Sequence, residues 1–125
     1  MKKILLVDDS RLVRNSIKIF FKALGYSDIN FLEAKDGQEA LDIFTKEMPD
    51  MIILDLLMPI MGGEDLVKHI QTTKHNCFIS IMSSNFQKPV RERLLGMGAN
   101  LFVEKPVTPE KLSLIIADYK TFKGI

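Results

Sequence analysis

Three short apolar runs in this chain end on ionisable residues suited to phosphoryl chemistry. Ile4 to Val7 leads into Asp8-Asp9, Met51 to Leu54 into Asp55, and Leu101 to Val103 into Glu104-Lys105-Pro106. Asp55 is the candidate nucleophile. A carboxylate with an ordinary pKa of about 4 is ionised at neutral pH, so it needs no general base to attack phosphorus, and aspartate is known to form acyl phosphates. Asp8, Asp9 and Asp55 held together repel one another unless a cation sits among them. Hard carboxylate oxygens with no histidine or cysteine nearby in sequence select Mg2+. Lys105 offers a positive charge and Ser83, at the end of a fourth apolar run, a hydroxyl donor against an anionic ligand. Each residue alone has an ordinary role, as a helix cap, a turn residue, a surface lysine or a strand-ending hydroxyl. Their joint occurrence at the ends of such runs points to a site.

That site exists only if the runs are parallel strands, because the C-terminal ends of such strands face one crevice. Apolar runs of strand length alternate here with longer amphipathic stretches, five of each, the pattern of a doubly wound α/β fold with helices on both faces of a parallel sheet. The expected strands are Lys3 to Val7, Ile29 to Glu33, Met51 to Leu54, Phe78 to Met82 and Asn100 to Val103. The first helix starts near Ser10, turns Leu12, Val13, Ile17, Phe20 and Leu24 inward and stops at Gly25. The second follows Asp36, where Glu39 three residues on resembles a capping box, and Pro49 lies past its end. Met58-Pro59 and Gly62-Gly63 mark a turn before a third helix of about Glu64 to Thr72 with Leu66, Val67 and Ile70 inward. The fourth, from Pro89 to Gly98 with Val90, Leu94 and Met97, is weakened by Gly96. Thr108-Pro109 opens the last, with Leu112, Ile115, Ile116 and Tyr119 inward.

The 125 residues, 46% hydrophobic and 26% charged, fit one domain spanning 1–125. A net charge of +1 gives no electrostatic reason to expect direct nucleic-acid or membrane binding. The apolar stretch after Lys2-Lys3 is cut short by Asp8-Asp9, so it reads as a strand rather than a leader, and no run approaches the ~20 residues of a membrane span. The expected location is cytoplasmic. The single cysteine, Cys77, excludes an internal disulfide and reads as a small hydrophobe in a strand. His69 and His75 read as ordinary polar-surface histidines rather than relay or metal residues, and Met48, Met51, Met58, Met61 and Met82 as packing and loop filler.

Taken in order, Asp8-Asp9-Ser10, Asp55 followed by Met58-Pro59 and glycine, Ser83 and Lys105-Pro106 resemble the receiver domain of two-component response regulators. Glu33-Ala34-Lys35-Asp36-Gly37-Gln38-Glu39-Ala40-Leu41 and Gly98-Ala99-Asn100 resemble the same family, so the likeness covers essentially the whole chain. It implies a flavodoxin-like sheet of strand order 2-1-3-4-5. It also implies roles: Asp55 as acceptor of a phosphoryl group from a sensor histidine kinase or phosphotransfer protein, with Lys105 pairing with that group. Mg2+ would be bound by Asp9, Asp55 and the Leu57 main-chain carbonyl, with Asp8 acting mainly through water. Ser83 and Phe102 would be the switch pair, and helix four, strand five and helix five the face that meets a downstream protein target. Two features depart from the usual pattern: Ser84 stands where a small residue such as alanine is common, and Leu57 and Asn85 occupy the positions where the family tunes phosphate lifetime.

The leading expectation is a phosphorelay module, not an enzyme beyond its own phosphorylation and dephosphorylation. It is expected to be a stand-alone regulator that leans toward chemotaxis on the likeness of Asp9-Ser10-Arg11, monomeric unless phosphorylation dimerises it. A receiver piece of a longer regulator and a phosphorylation-independent pseudo-receiver are the alternatives. The pseudo-receiver predicts a degraded acidic cluster, whereas here Asp8, Asp9, Asp55, Ser83 and Lys105 are all present. An aspartate-nucleophile phosphohydrolase needs a second acid two residues after Asp55, where Leu57 stands and can donate no proton.

Overall fold

The computed structural model describes residues 2–84 and 87–125. Strands and helices alternate as β1 (Lys3–Val7), α1 (Arg11–Ala23), β2 (Asn30–Ala34), α2 (Gly37–Glu47), β3 (Met51–Asp55), α3 (Gly63–Gln71), β4 (Phe78–Ser83), α4 (Lys88–Gly96), β5 (Leu101–Glu104) and α5 (Pro109–Lys123). The strands form one parallel sheet of order β2-β1-β3-β4-β5, so the doubly wound flavodoxin-like arrangement is the observed one. The direction of winding reverses between β1 and β3, which opens the crevice at their C-terminal ends.

Strand residues alternate between two cores because successive side chains leave a strand on opposite faces. Ile4, Leu6, Met51, Ile53, Phe78 and Met82 pack against α1 and α5 through Ile17, Phe21, Leu112, Ile115, Ile116 and Tyr119. Leu5, Val7, Ile52, Leu54, Ile79 and Ile81 pack against Ala40, Phe44, Leu66, Val67, Ile70 and Leu94 of α2, α3 and α4. All of β3 is buried, as the apolar run Met51 to Leu54 requires of a strand covered on both sides, and Asp55 at its end is buried with it. Each fully buried Leu, Ile or Phe contributes about 1.5–3 kcal/mol. Ser10 caps α1 by accepting from the Val13 N–H, Asp36 caps α2 by accepting from the Glu39 N–H at 2.8 Å, and Thr108 caps α5 by accepting from the Lys111 N–H.

Several local expectations shift. Leu12, expected inside, is 76% exposed, while Phe21, absent from the expected stripe, is fully buried. The stripe that follows the helical period from Val13 and Ile17 through Phe20 and Phe21 to Leu24 leaves Leu12 about a quarter turn away. β2 lies one residue later than expected because its ladder starts where Lys3 pairs with Asn30. β3, β4 and β5 each run one residue further, so Asp55, Ser83 and Glu104 are strand residues. α4 stops at Gly96, with Met97 as its cap and Gly98 at φ +108, and Leu94 is its one buried residue. Met48 is not filler: it caps α2 in the left-handed region, exposed. His75 is half-buried, its Nε2 2.6 Å from the Pro49 carbonyl and its ring edge-on to Phe44. Cys77 sits just before β4, and burial pushes its thiol up to about 12. No helix among the described residues is long and apolar enough to cross a membrane.

Ser80, paired with Ile53 and Leu101 in mid-sheet, is fully buried and its hydroxyl has no hydrogen-bond partner among the described residues. An unmet buried hydroxyl carries its desolvation cost without return. Ser80→Ala is therefore expected to leave unfolding free energy unchanged or raise it by up to about 1 kcal/mol, whereas a satisfied hydroxyl would lose about that much. Denaturant titration of the two proteins decides the sign.

Candidate functional site

The crevice above β1 and β3 gathers the residues singled out by their spacing. Asp8 follows β1, Asp55 ends β3, Ser83 ends β4 and Lys105 follows β5. Asp8, Asp55 and Ser83 are buried, Asp9 is exposed, and one-fifth of the Lys105 side chain is accessible. Carboxylate oxygens of Asp8, Asp9 and Asp55 lie within 4.8 Å of one another. The Lys105 ammonium stands 2.8 Å from Asp8 Oδ2 and 3.2 Å from Asp55 Oδ2, bridging the ends of β1 and β3. The first contact is an ion pair out of line for a hydrogen bond, so Asp8 Oδ2 is buried with no aligned donor.

The main chain sets this geometry. The Asp8 N–H donates to the Ala34 carbonyl, which fixes the end of β1 against β2. Asp8 Oδ1 accepts from the Ser10 N–H at 2.8 Å, an aspartate turn that hands the chain to the cap of α1. The Lys105 N–H donates to the Ser83 carbonyl at 2.8 Å, and the Lys105-Pro106 peptide is cis, an isomer the sequence leaves open. The Leu57 N–H reaches Asp55 Oδ1 at 3.4 Å, while its side chain is 69% exposed at the rim. Gly63 packs so closely on the end of β3 that an added Cβ would stand 2.8 Å from the Asp55 carbonyl, so this glycine serves a close approach as well as the turn. In the same loop Ile60 is exposed at φ +69, a conformation that costs a β-branched residue about 1–2 kcal/mol. Ser84 is exposed and Phe102 is buried among the α2–α4 core residues. Asn85 lies outside the described residues. The expected set omits Arg14, whose guanidinium donates to the Asp8 carbonyl; its one signal in the sequence is a basic residue one helical turn past the Ser10 cap.

Burial raises the Asp55 carboxyl above its usual range, and the Asp8 charge raises it further, with Lys105 only partly opposing them. Burial pulls the Lys105 ammonium down, but its close pairing with the Asp8 and Asp55 carboxylates leaves it raised and therefore firmly protonated. The donor set fits a small hard cation: an oxygen-only cluster, over-supplied with negative charge, with a buried Asp8 oxygen lacking an aligned donor. One ammonium does not neutralise three carboxylates.

The sequence matches the response regulator receiver domain family over residues 4–117. A response regulator MprA of Mycolicibacterium vanbaalenii is 32% identical over 112 residues, 88% of this chain and 46% of that protein. A probable transcriptional regulator ycf27 of Guillardia theta is 33% identical over 113 residues, 89% of this chain and 42% of that protein. The chain thus spans slightly under half the length of these curated relatives. Among solved structures, the signal receiver domain of a LuxO repressor protein from Vibrio parahaemolyticus superposes with a TM-score of 0.88 at 27% identity, covering 98% of this chain and 92% of that one. The CheX–CheY complex from Borrelia burgdorferi with BeF3 and Mg2+ gives 0.83 at 25% identity, over 92% and 86%.

Because the folded chain disfavours ionised Asp55, the unfolded chain releases that proton first as pH rises through the window between the ordinary aspartate value and the raised folded one. Stability falls across that window and stays lowered above it. In Mg2+-free buffer at pH 7, Asp55→Asn is expected to unfold at a higher temperature than wild type, with the gap closing as pH falls below about 4. Calorimetry across pH checks both parts.

Proposed function

Because the chain belongs to the response regulator receiver domain family, a phosphorelay module of two-component signalling, we propose that Asp55 accepts a phosphoryl group from the phosphohistidine of a sensor kinase or phosphotransfer protein. An Asp55 carboxylate oxygen attacks phosphorus, the new P–O bond forms as the P–N bond breaks, and the imidazole leaves with the electron pair and takes up a proton. The observation that carries this reading is the position of Lys105 Nζ, 2.8 Å and 3.2 Å from Asp8 and Asp55 at the topological switch point. An ammonium there balances a nucleophilic carboxylate before transfer and can pair with phosphoryl oxygens after it.

Asp8, Asp9 and Asp55, with the Leu57 main-chain carbonyl as a further oxygen, would hold Mg2+, which when bound neutralises charge on the transferring group. Lys105 and the Leu57 N–H both address the Asp55 carboxylate at the crevice and oppose the burial and the Asp8 charge that raise it. Leu57 lines the rim with carbon alone, so this chain orients no attacking water from that position. The protein acts on no substrate besides its own phosphoryl group.

The phosphoryl group shifts a population between two arrangements, with the Ser83 hydroxyl and the Phe102 ring as the coupled elements, and α4, β5 and α5 present the outcome to a protein target. The single buried residue of α4 supports this reading, since so loosely seated an element moves at little cost. Recognition of the donor falls to α1, where Leu12, Val13 and Phe20 line an apolar groove with Pro106 and Val107 beside Lys105. The chemotaxis lean rests on the Asp9-Ser10-Arg11 likeness and on structural similarity to CheY, while the curated relatives support a transcriptional output. A cytoplasmic location follows from a histidine-kinase donor, and a monomer is the starting state.

Intact-mass measurement after incubation with Mg2+ and a small acyl phosphate should show one phosphoryl adduct on wild type, none on Asp55→Asn and none with chelator. A folded, Mg2+-bound wild type that takes no phosphoryl group would leave phosphorylation-independent partner binding as the function. The adduct on Leu57→Asn should decay about two- to tenfold faster than on wild type, the kinetic equivalent of one net hydrogen bond to water. Equal decay would remove Leu57 from the control of lifetime.

A further inference from the structure

Asp8 is fixed at four points. Its N–H donates to the Ala34 carbonyl, Oδ1 accepts from Ser10, Oδ2 pairs with Lys105, and its own carbonyl accepts from Arg14 Nη1. The first three address the residue that packing already holds, since Asp8 is almost wholly buried. The fourth holds the peptide plane that joins Asp8 to Asp9. Asp9 is exposed, so packing constrains it little, and the orientation of that plane contributes to where its carboxylate leaves the chain.

Arg14 is itself held. Its Nε donates to Glu33 Oε1 at 3.0 Å, and the other Glu33 oxygen takes the Lys18 ammonium at 2.9 Å. The Arg14 side chain is only 14% exposed. Burial works against ionised Glu33, but Lys18 and Arg14 outweigh it and hold its carboxyl below the usual range. Glu33 offsets the guanidinium charge, so Arg14 can stand next to the acidic cluster without opposing a cation at full strength. Its planar fork bonds a carbonyl and a carboxylate at once, which a lysine cannot do with the same rigidity.

We infer that Arg14 is a positioning residue for the cation site, acting through the Asp8–Asp9 peptide, and that Glu33 aims it; this rests on the reading of Asp8, Asp9 and Asp55 as an Mg2+ site. The ordinary electrostatic expectation has the opposite sign. Removing a positive charge near carboxylates should tighten cation binding, whereas removing a positioning group should weaken it.

The test is calorimetric titration with Mg2+ alone on wild type, Arg14→Met, Arg14→Lys and Glu33→Gln, with thermal unfolding and the Asp9 amide resonance recorded without metal. Arg14→Met keeps the aliphatic stem and should weaken Mg2+ binding about tenfold, the range seen when groups orienting a metal ligand are lost. Arg14→Lys and Glu33→Gln should fall between it and wild type, with the Asp9 amide resonance displaced in each. In an Asp9→Asn background the Arg14→Met effect should vanish. Unchanged or tighter Mg2+ binding by a folded Arg14→Met, or by the two milder variants if that one does not fold, would overturn the inference. A wild type that binds no Mg2+ would instead overturn the cation-site reading beneath it.

Discussion

Like charges forced together at the mouth of the sheet set the terms for the rest of the molecule. Asp8 and Asp55 are buried beside one another, and Asp9 adds a third carboxylate at the surface. In so dry a setting their repulsion is large, and among the described residues the Lys105 ammonium pairs against it. The sheet must be stiff enough to hold the cluster, because a carboxylate free to swing out would relieve the repulsion and lose the site. Fully buried β1 and β3 cores, the β-ladder and the caps of α1 and α2 provide that stiffness.

The elements around the cluster are unequally secured. α1 and α5 pack on the sheet through residues such as Ile17, Phe21, Ile115 and Tyr119, and their helices are capped by Ser10 and Thr108. α4 has no side-chain cap at its start and buries one residue, Leu94. Surface ties such as the Arg93–Glu64 pair, at 2.8 Å, contribute at most about 1 kcal/mol when this exposed. A stored charge imbalance beside a well-held core and a loosely held helix is the physical form that a charge-driven switch takes, and the proposed signalling role uses that asymmetry.

Much of the fold was legible in the sequence because its signals are local. Uninterrupted apolar runs marked β1 and β3, and the cap residues Ser10, Asp36 and Thr108 marked helix starts that the structure places within a residue or two. Boundaries failed where a partner strand decides them: the ladder carries β3 and β4 through Asp55 and Ser83, polar residues that a hydrophobic pattern excludes. Leu12 was misplaced because a helix stripe is defined by the surface it meets, and Phe21 serves that surface better.

The sequence by itself determined the chemistry available: which carboxylates, which ammonium, which hydroxyl, and their order at the ends of strands, because residue type and hydrophobic period are written along the chain. Tertiary structure alone decided that Lys105 faces both Asp8 and Asp55, that Ser80 is buried without a partner, and that Arg14, Glu33 and Lys18 form one chain behind the acidic cluster. The reason is physical. Such contacts join residues brought together only by strand pairing and helix packing, and an ion pair across many residues of sequence leaves no trace in local pattern until the sheet sets the two side chains within reach of each other.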